Sequence, residues 1–302
     1  MQPQQWLSNG KIFDYQNHQL FYVDSNPSCR HKHVLLLIHG FPTSSYDWQK
    51  VWAQLTEHYR CIAMDMLGFG YSDKPKQHNY SIHGQADLHE ALLQHLNINK
   101  VHLLAHDYGD TVAQELLARA NSGGTTRYAS ACLLNGGLFP ETHQARFVQK
   151  LLLSPAGFLV NKLMSYRQFC RSFSAIFGPE TQPTKRDLRD LWQILQYKNG
   201  NRLLYKLISY MRDRRQHRQR WVDALKQYPG PLLLINGSLD PVSGKHMVDR
   251  FRQLIDRPTD IVELGTIGHY PQWEAPENVG NEYLKFLKIH QNNPFLLSTL
   301  SE

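Results

Sequence analysis

Residues 102–117, HLLAHDYGDTVAQELL, pass from an apolar strand pattern straight into a helical one with no loop between them. A strand that turns at once into a helix forces the residue at the turn into a strained conformation and lifts its side chain above the sheet. The small residues two before and two after the turn, Ala105 and Gly109, relieve the crowding. Backbone N–H groups beside the turn face the same point, at the positive end of the helix. Serine is the usual nucleophile on such a turn. Here the residue is Asp107.

The rest of the chain repeats the strand-then-helix pattern. KIFDY (11–15) and QLFYVD (19–24), about a turn at 16–18, read as a hairpin. HVLLLIHG (33–40), CIAMDM (61–66), KVHLLAH (100–106), YASACLLN (128–135), PLLLIN (231–236) and DIVELG (260–265) predict further strands. Several are apolar throughout, as buried parallel strands are. Helical spacing predicts helices over 46–57, 81–96 with Ser81 as N-cap, 110–120 and 277–290. This alternation implies an α/β fold, a mainly parallel central sheet with helices on both faces. It stops between 139 and 228, a stretch helical in pattern and rich in Arg, Gln and aromatic residues. That stretch is too long for a loop. It reads as an inserted helical cap (139–228) on a core made of 1–138 and 229–302.

An aspartate at the turn has a chemical meaning. A serine attacking an alkyl carbon would leave an ether, which water does not readily break. A carboxylate attacking the same carbon leaves an ester, which activated water can hydrolyse. Asp107 therefore points to alkyl electrophiles such as epoxides or alkyl halides. The competing reading is an aspartate that only caps the helix. His39-Gly40-Phe41-Pro42 follows the strand at 33–38, and the backbone N–H groups of Phe41 and Tyr108 are the expected oxyanion donors. His39 and Pro42 are candidate substrate contacts. Asp240 lies just past the 231–236 strand and His269 follows the last strand, giving the chain order nucleophile, acid, histidine. In this reading Asp240 orients His269, and His269 deprotonates water. Glu141 is the competing acid. Asp110 either raises the pKa of Asp107 by repulsion or complements the helix dipole.

Composition narrows the remaining classes. The 302 residues carry a formal charge of +7, concentrated in 212–220 (RDRRQHRQR). No aromatic residue is interleaved there to stack on bases. The run reads as a solvated helix face, and no nucleic-acid partner is expected. Cys29, Cys61, Cys132 and Cys170 form no CxxC pair, which fits a reducing, cytoplasmic location. The N-terminus lacks a signal-peptide pattern, and the longest apolar runs are roughly five residues, so no membrane span is expected. Among sixteen histidines no metal-ligand set is recognisable; His102 and His106 flank a strand rather than share a helix face. No metal and no other cofactor is expected. The expected partners are a small hydrophobic electrophile and water.

HGFPTSSYDW (39–48), DMLGFGYSDKP (65–75), HDYGDTVAQE (106–115), LDPV (239–242) and GHYPQWEAPE (268–277) resemble the epoxide hydrolase and haloalkane dehalogenase branch of the α/β-hydrolases. The likeness reaches into the cap at GGLFPETH (136–143) and RQRWVDAL (218–225). It implies the α/β-hydrolase fold, a triad of Asp107, Asp240 and His269, and a cap that roofs the pocket. Tyr108 and Phe41 stand where dehalogenases commonly carry halide-holding tryptophan and asparagine, which weakens that activity. Epoxide hydrolases use cap tyrosines as proton donors, and this cap offers Tyr166, Tyr197, Tyr205 and Tyr210. The usual aromatic–Tyr–Arg cluster late in the cap is replaced by Arg220-Trp221. Epoxide hydrolysis is thus the leading expectation and hydrolytic dehalogenation the alternative. A catalytically silent fold used for binding is the reading from another class.

Overall fold

In the computed structural model, which describes residues 1–25 and 33–290, the alternating runs build one eight-stranded sheet. Strands β1 (Gly10–Tyr15) and β2 (His18–Asp24) form the expected hairpin, turned by Gln16 and Asn17 at φ 48° and 64°. The remaining strands are β3 (Val34–Ile38), β4 (Arg60–Met64), β5 (Lys100–His106), β6 (Arg127–Leu134), β7 (Leu232–Gly237) and β8 (Asp260–Leu264). Their order is β1-β2-β4-β3-β5-β6-β7-β8. The β1–β2 and β2–β4 pairs are antiparallel and the other five are parallel. Every residue of β3, β4 and β7 is buried, because helices cover both faces of a parallel sheet.

Register levels the carboxyl ends. Ile38 pairs with Ala105, His106 with Leu134, and Leu134 with Ile235. The loops leaving β3, β5, β6 and β7 therefore start from one edge, where ligands bind in open α/β sheets.

Helices α1 (Pro3–Ser8), α2 (Trp52–Thr56), α3 (Ile82–His95) and α4 (Tyr108–Asn121) precede β6. Between β6 and β7 the described chain holds only helices: α5 (Phe147–Leu153), α6 (Gly157–Lys162), α7 (Tyr166–Ser174), α8 (Lys185–Gln196), α9 (Leu204–Leu207), α10 (Tyr210–Gln216) and α11 (Arg218–Gln227), with a 3-10 turn at Tyr197–Arg202. Helices α12 (Lys245–Leu254), α13 (Pro271–Glu274) and α14 (Pro276–His290) follow β7. The Ser81 cap is in place, its Oγ accepting from Gly84 N at 3.1 Å. The helix expected over 46–57 is instead a 3-10 turn, Ser45–Trp48, followed by α2. Asp65 and Ser44 accept the amides of Ser45 and Tyr46 at 2.7 and 3.3 Å and so cap the start of the 3-10 turn. Cys61 and Cys132 are buried free thiols in the sheet and Cys170 is half-buried on α7; Cys29 lies outside the described residues.

Helices α4 and α11 are joined through Glu115. Its buried carboxylate accepts from Arg119 Nε, Arg220 Nε and Trp221 Nε1 at 2.9, 2.8 and 2.8 Å. Burial would raise its pKa, but these three donors pull it down to about 2.

Candidate active site

Asp107 links β5 to α4 at φ 47° and ψ −104°, the strained turn that the sequence implied. Gly109 permits it: a Cβ there would lie 2.3 Å from the carbonyl oxygen of Ile38. Close approach of α4 to the end of β3 thus requires glycine. The side chain of Asp107 is 3% exposed and lines a cavity of about 630 Å³. Phe41, Pro42, Val242 and His269 line it from the core side, and Leu152, Phe169 and Phe173 from the α5–α7 side. Most of this lining is apolar.

Three loops deliver the polar groups. The Phe41 N–H donates to Asp107 Oδ2 at 3.2 Å. His269 Nε2 lies 3.9 Å from the same oxygen. On the other side of the imidazole, Nδ1–H donates to Asp240 Oδ2 at 2.7 Å. Asp240 is itself fixed by Asn135 Nδ2 and by the amides of Val242 and Ser243 at 3.0, 2.7 and 3.0 Å. Asp107, Asp240 and His269, two of them 29 positions apart and the third far earlier in the chain, are thereby brought into one chain of contacts. Glu141, the competing acid, is instead at the surface, paired with Arg218 and Arg250.

Charge in this buried group is set by mutual pairing. Burial alone would raise the pKa of Asp107; the hydrogen bond and charge of His269, then Arg214, hold it well below the usual carboxylate range. Burial alone would lower that of His269, but Asp240 and Asp107 push it up to about 10. Asp110 is fully buried, with Oδ1 3.4 Å from the Leu134 amide and Oδ2 unpartnered. Burial, then the charge of Asp107, raises its pKa well above the ordinary value. Burial and the neighbouring Asp107 charge both favour the protonated form of Asp110, which weighs against a helix-dipole role for its charge.

The basic run departs from expectation at one arginine. It is divided at His217 between α10 and α11; Arg212, Arg215 and Arg220 are exposed and Arg218 is partly so. Arg214 points inward and is 2% exposed. Its Nε donates to Thr111 Oγ1 at 2.7 Å and its Nη2 to the Asp107 carbonyl at 2.9 Å, with Asp107 Oδ1 3.5 Å away. Arg218 and Arg220 pair with Glu141 and Glu115.

Of the four cap tyrosines, Tyr210 alone packs at the turn. Its ring meets those of Tyr108 and Phe41 at 4.8 and 5.8 Å, Arg214 lies 4.5 Å over it, and its buried hydroxyl makes no hydrogen bond within normal geometry among the described residues. Tyr166 packs on Trp192 and Tyr197 on Tyr71, both partly exposed, and Tyr205 sits beside Asn161, all away from the turn; none of the four, Tyr210 included, lines the cavity wall. His39 is occupied structurally. Its Nε2 accepts from the Met66 amide at 3.1 Å and its Nδ1–H donates to the Gly40 carbonyl at 2.9 Å. Tyr108 opens α4 with its ring buried against Phe69.

Three supporting residues have no local sequence signal. His106 Nε2–H donates to the His269 carbonyl at 2.7 Å. Asn135, at φ 45°, bridges Asp240 and the Gly237 amide. Arg214 could have been found only by asking which arginine in the run falls out of phase with its neighbours.

The profile of the alpha/beta hydrolase fold family matches residues 33–276. The chain is 43% identical to the mesoderm-specific transcript homolog protein of Bos taurus, covering 93% of this chain and 87% of that protein. It is 24% identical to epoxide hydrolase 1 of Caenorhabditis elegans, covering 90% and 69%. A haloalkane dehalogenase loop variant from Bradyrhizobium elkanii superposes with a TM-score of 0.78 at 22% identity, over 93% of this chain and 97% of that one. At that identity the likeness speaks to fold alone. The sheet order, the strained turn after β5 and these matches agree: the chain belongs to the α/β-hydrolase fold family, beside the mesoderm-specific transcript proteins, and is a hydrolase.

Proposed function

We propose that the protein hydrolyses epoxides through an alkyl ester on Asp107. The observation that carries this reading is the Asp107 carboxylate at a strained turn, facing an apolar cavity and backed by His269 and Asp240. Residues 139–228 act as the cap that roofs the site, over a core of 1–138 and 229–302.

Asp107 attacks a ring carbon, the C–O bond breaks, and the oxirane oxygen needs a proton. Tyr210 gives it, being the cap hydroxyl at the nucleophile without another partner. His269, protonated at rest with a pKa of about 10, returns a proton to Tyr210. Esterification removes the Asp107 charge that helped to hold the His269 proton, so a neutral imidazole follows. That imidazole takes a proton from water. Hydroxide adds to the ester carbonyl, and the Phe41 and Tyr108 N–H groups hold the oxyanion. Collapse releases the diol, regenerates the Asp107 carboxylate and leaves His269 protonated as at the start.

The same accounting separates epoxides from halides. An opening oxirane oxygen needs a proton and a departing halide does not. A tyrosine hydroxyl packed at the nucleophile turn, Tyr210, therefore favours the epoxide. Trapping the ester in a His269→Gln variant tests the reading.

A further inference from the structure

The rim of the cavity differs from the rest of the surface. Helices α5, α6 and α7 turn Leu152, Val160, Met164, Phe169 and Phe173 toward the cavity. A helix on a soluble protein buries one apolar stripe and keeps the opposite face polar. These helices also carry exposed apolar side chains. Phe147 on α5, itself at the cavity wall, is 76% exposed, Phe158 and Leu159 on α6 are 53% and 49%, and Leu163 just after α6 is 74%. Elsewhere among the described residues large exposed hydrophobics occur singly, as at Ile12, Leu239 and Ile289. Singles are ordinary, whereas a cluster around a cavity mouth marks a contact surface.

The charge of the same stretch is one-sided. No aspartate or glutamate occurs between Glu141 and Glu180. Arg146, Lys150, Lys162, Arg167 and Arg171 fall within it, and all five are exposed. Arg146 and Arg171 stand at the cavity wall itself. Exposed Phe and Leu ringed by cations match a lipid surface with anionic headgroups: the rings sink to the acyl boundary and the bases meet the phosphates. A protein docked on the same face would cover the mouth, whereas a bilayer there supplies what an apolar cavity takes up. No helix among the described residues is long and apolar enough to cross a membrane, so the contact is peripheral.

We propose that the α5–α7 rim docks on an anionic lipid surface, from which a lipid-soluble substrate passes into the cavity. The delivery step rests on the cavity being the substrate site. The docking does not rest on the chemistry, and it is measured as binding rather than turnover.

The test is flotation of the full chain with phosphatidylcholine vesicles, with and without phosphatidylserine. Wild-type protein floats with the phosphatidylserine vesicles and binds pure phosphatidylcholine at least about tenfold more weakly, with the difference shrinking as salt rises. A Phe158→Ser/Leu163→Ser double variant stays in the unbound fraction, and so does Lys162→Glu/Arg167→Glu, both with wild-type circular dichroism and melting. The charge-reversal pair keeps the test decisive if the apolar variant fails to fold. Wild-type protein that does not float with either vesicle overturns the proposal, as do folded variants that float as well as wild type. Concentration-dependent dimers abolished by Phe158→Ser/Leu163→Ser, without vesicle binding, would assign the face to a second copy of the chain and also overturn it.

Discussion

Arg214, carried on α10, donates from Nη2 to the backbone carbonyl of Asp107 at 2.9 Å and stands 3.5 Å from its carboxylate. A residue from the inserted segment thus grips the strained turn of the core. Its charge lowers the pKa of both Asp107 and Asp110, but among the described residues only Asp107 forms an ion pair with it. Replacing Arg214 by Met is expected to lower kcat/KM at least about tenfold and to move the acid limb of its pH profile upward, because the charge that helps keep Asp107 ionised is gone. Arg214→Lys should restore most of the limb. The pH dependence of kcat/KM in the three proteins checks this, and an unmoved limb would reduce Arg214 to packing.

Tyr210 is distinguished from its three rivals by position. Tyr210→Phe removes the unpartnered hydroxyl and keeps the ring against Tyr108 and Phe41. Loss of a general acid typically costs about 10²- to 10⁴-fold in rate. The expected outcome is a kcat fall of about 10²-fold or more with KM little changed. Tyr166→Phe, Tyr197→Phe and Tyr205→Phe should stay within about threefold of wild type, as surface changes do.

The pH profile has a predicted upper limit. His269 must be protonated in the resting enzyme to supply the oxirane proton, and its pKa is raised to about 10. The kcat/KM for an epoxide should therefore hold through neutral pH and fall as pH rises through about 10. The same shift has a stability consequence. A histidine whose folded pKa lies above its unfolded value stabilises fully below about 6.5 and loses that contribution as pH climbs toward the folded value. Asp240→Asn removes one of the two carboxylates responsible and should shift the basic limb downward. Rate measurements across this range, with and without that substitution, decide it.

Glu115 joins α4 to α11 and has three donors aimed at one buried carboxylate. Glu115→Gln leaves Arg119, Arg220 and the Trp221 indole without their charged acceptor. A loss of roughly 1.5–3 kcal/mol of stability is expected, the range for hydrogen bonds to a charged group, since Arg119 and Arg220 are themselves partly exposed. Denaturant titration measures it, and Glu115→Ala should cost at least as much because it also leaves a void.

What the sequence made legible was what local pattern and chain order encode. Asp107 announced itself through the strand running into a helix and through Ala105 and Gly109. Ser81 announced itself as a cap three residues before Gly84. Asp240 and His269 were readable from their places after β7 and β8. Arg214 and His106 were not, since their partners lie 107 and 163 positions away and no periodicity encodes such contacts. The run at 212–220 was read only in part because composition counts charges without phase; within α10, Arg214 falls on the buried face with Tyr210 and Met211. Asp110 stayed open for a related reason, since a helix-dipole argument assumes an exposed, ionised carboxylate and this one is fully buried.

The central claim is that Asp107 forms a covalent alkyl ester which His269 is needed to hydrolyse. Its most direct test is the intact mass of a His269→Gln variant, which retains the nucleophile but lacks the base, after exposure to a panel of lipophilic epoxides and haloalkanes. The account predicts a stable adduct with the full mass of one epoxide, mapped by peptide sequencing to Asp107 and absent from the Asp107→Asn/His269→Gln double variant. An adduct formed only from haloalkanes, lighter than the reagent by one hydrogen halide, would move the assignment to dehalogenation. An adduct that persists when Asp107 is replaced, or sustained epoxide turnover by an Asp107→Ala enzyme, would contradict the claim.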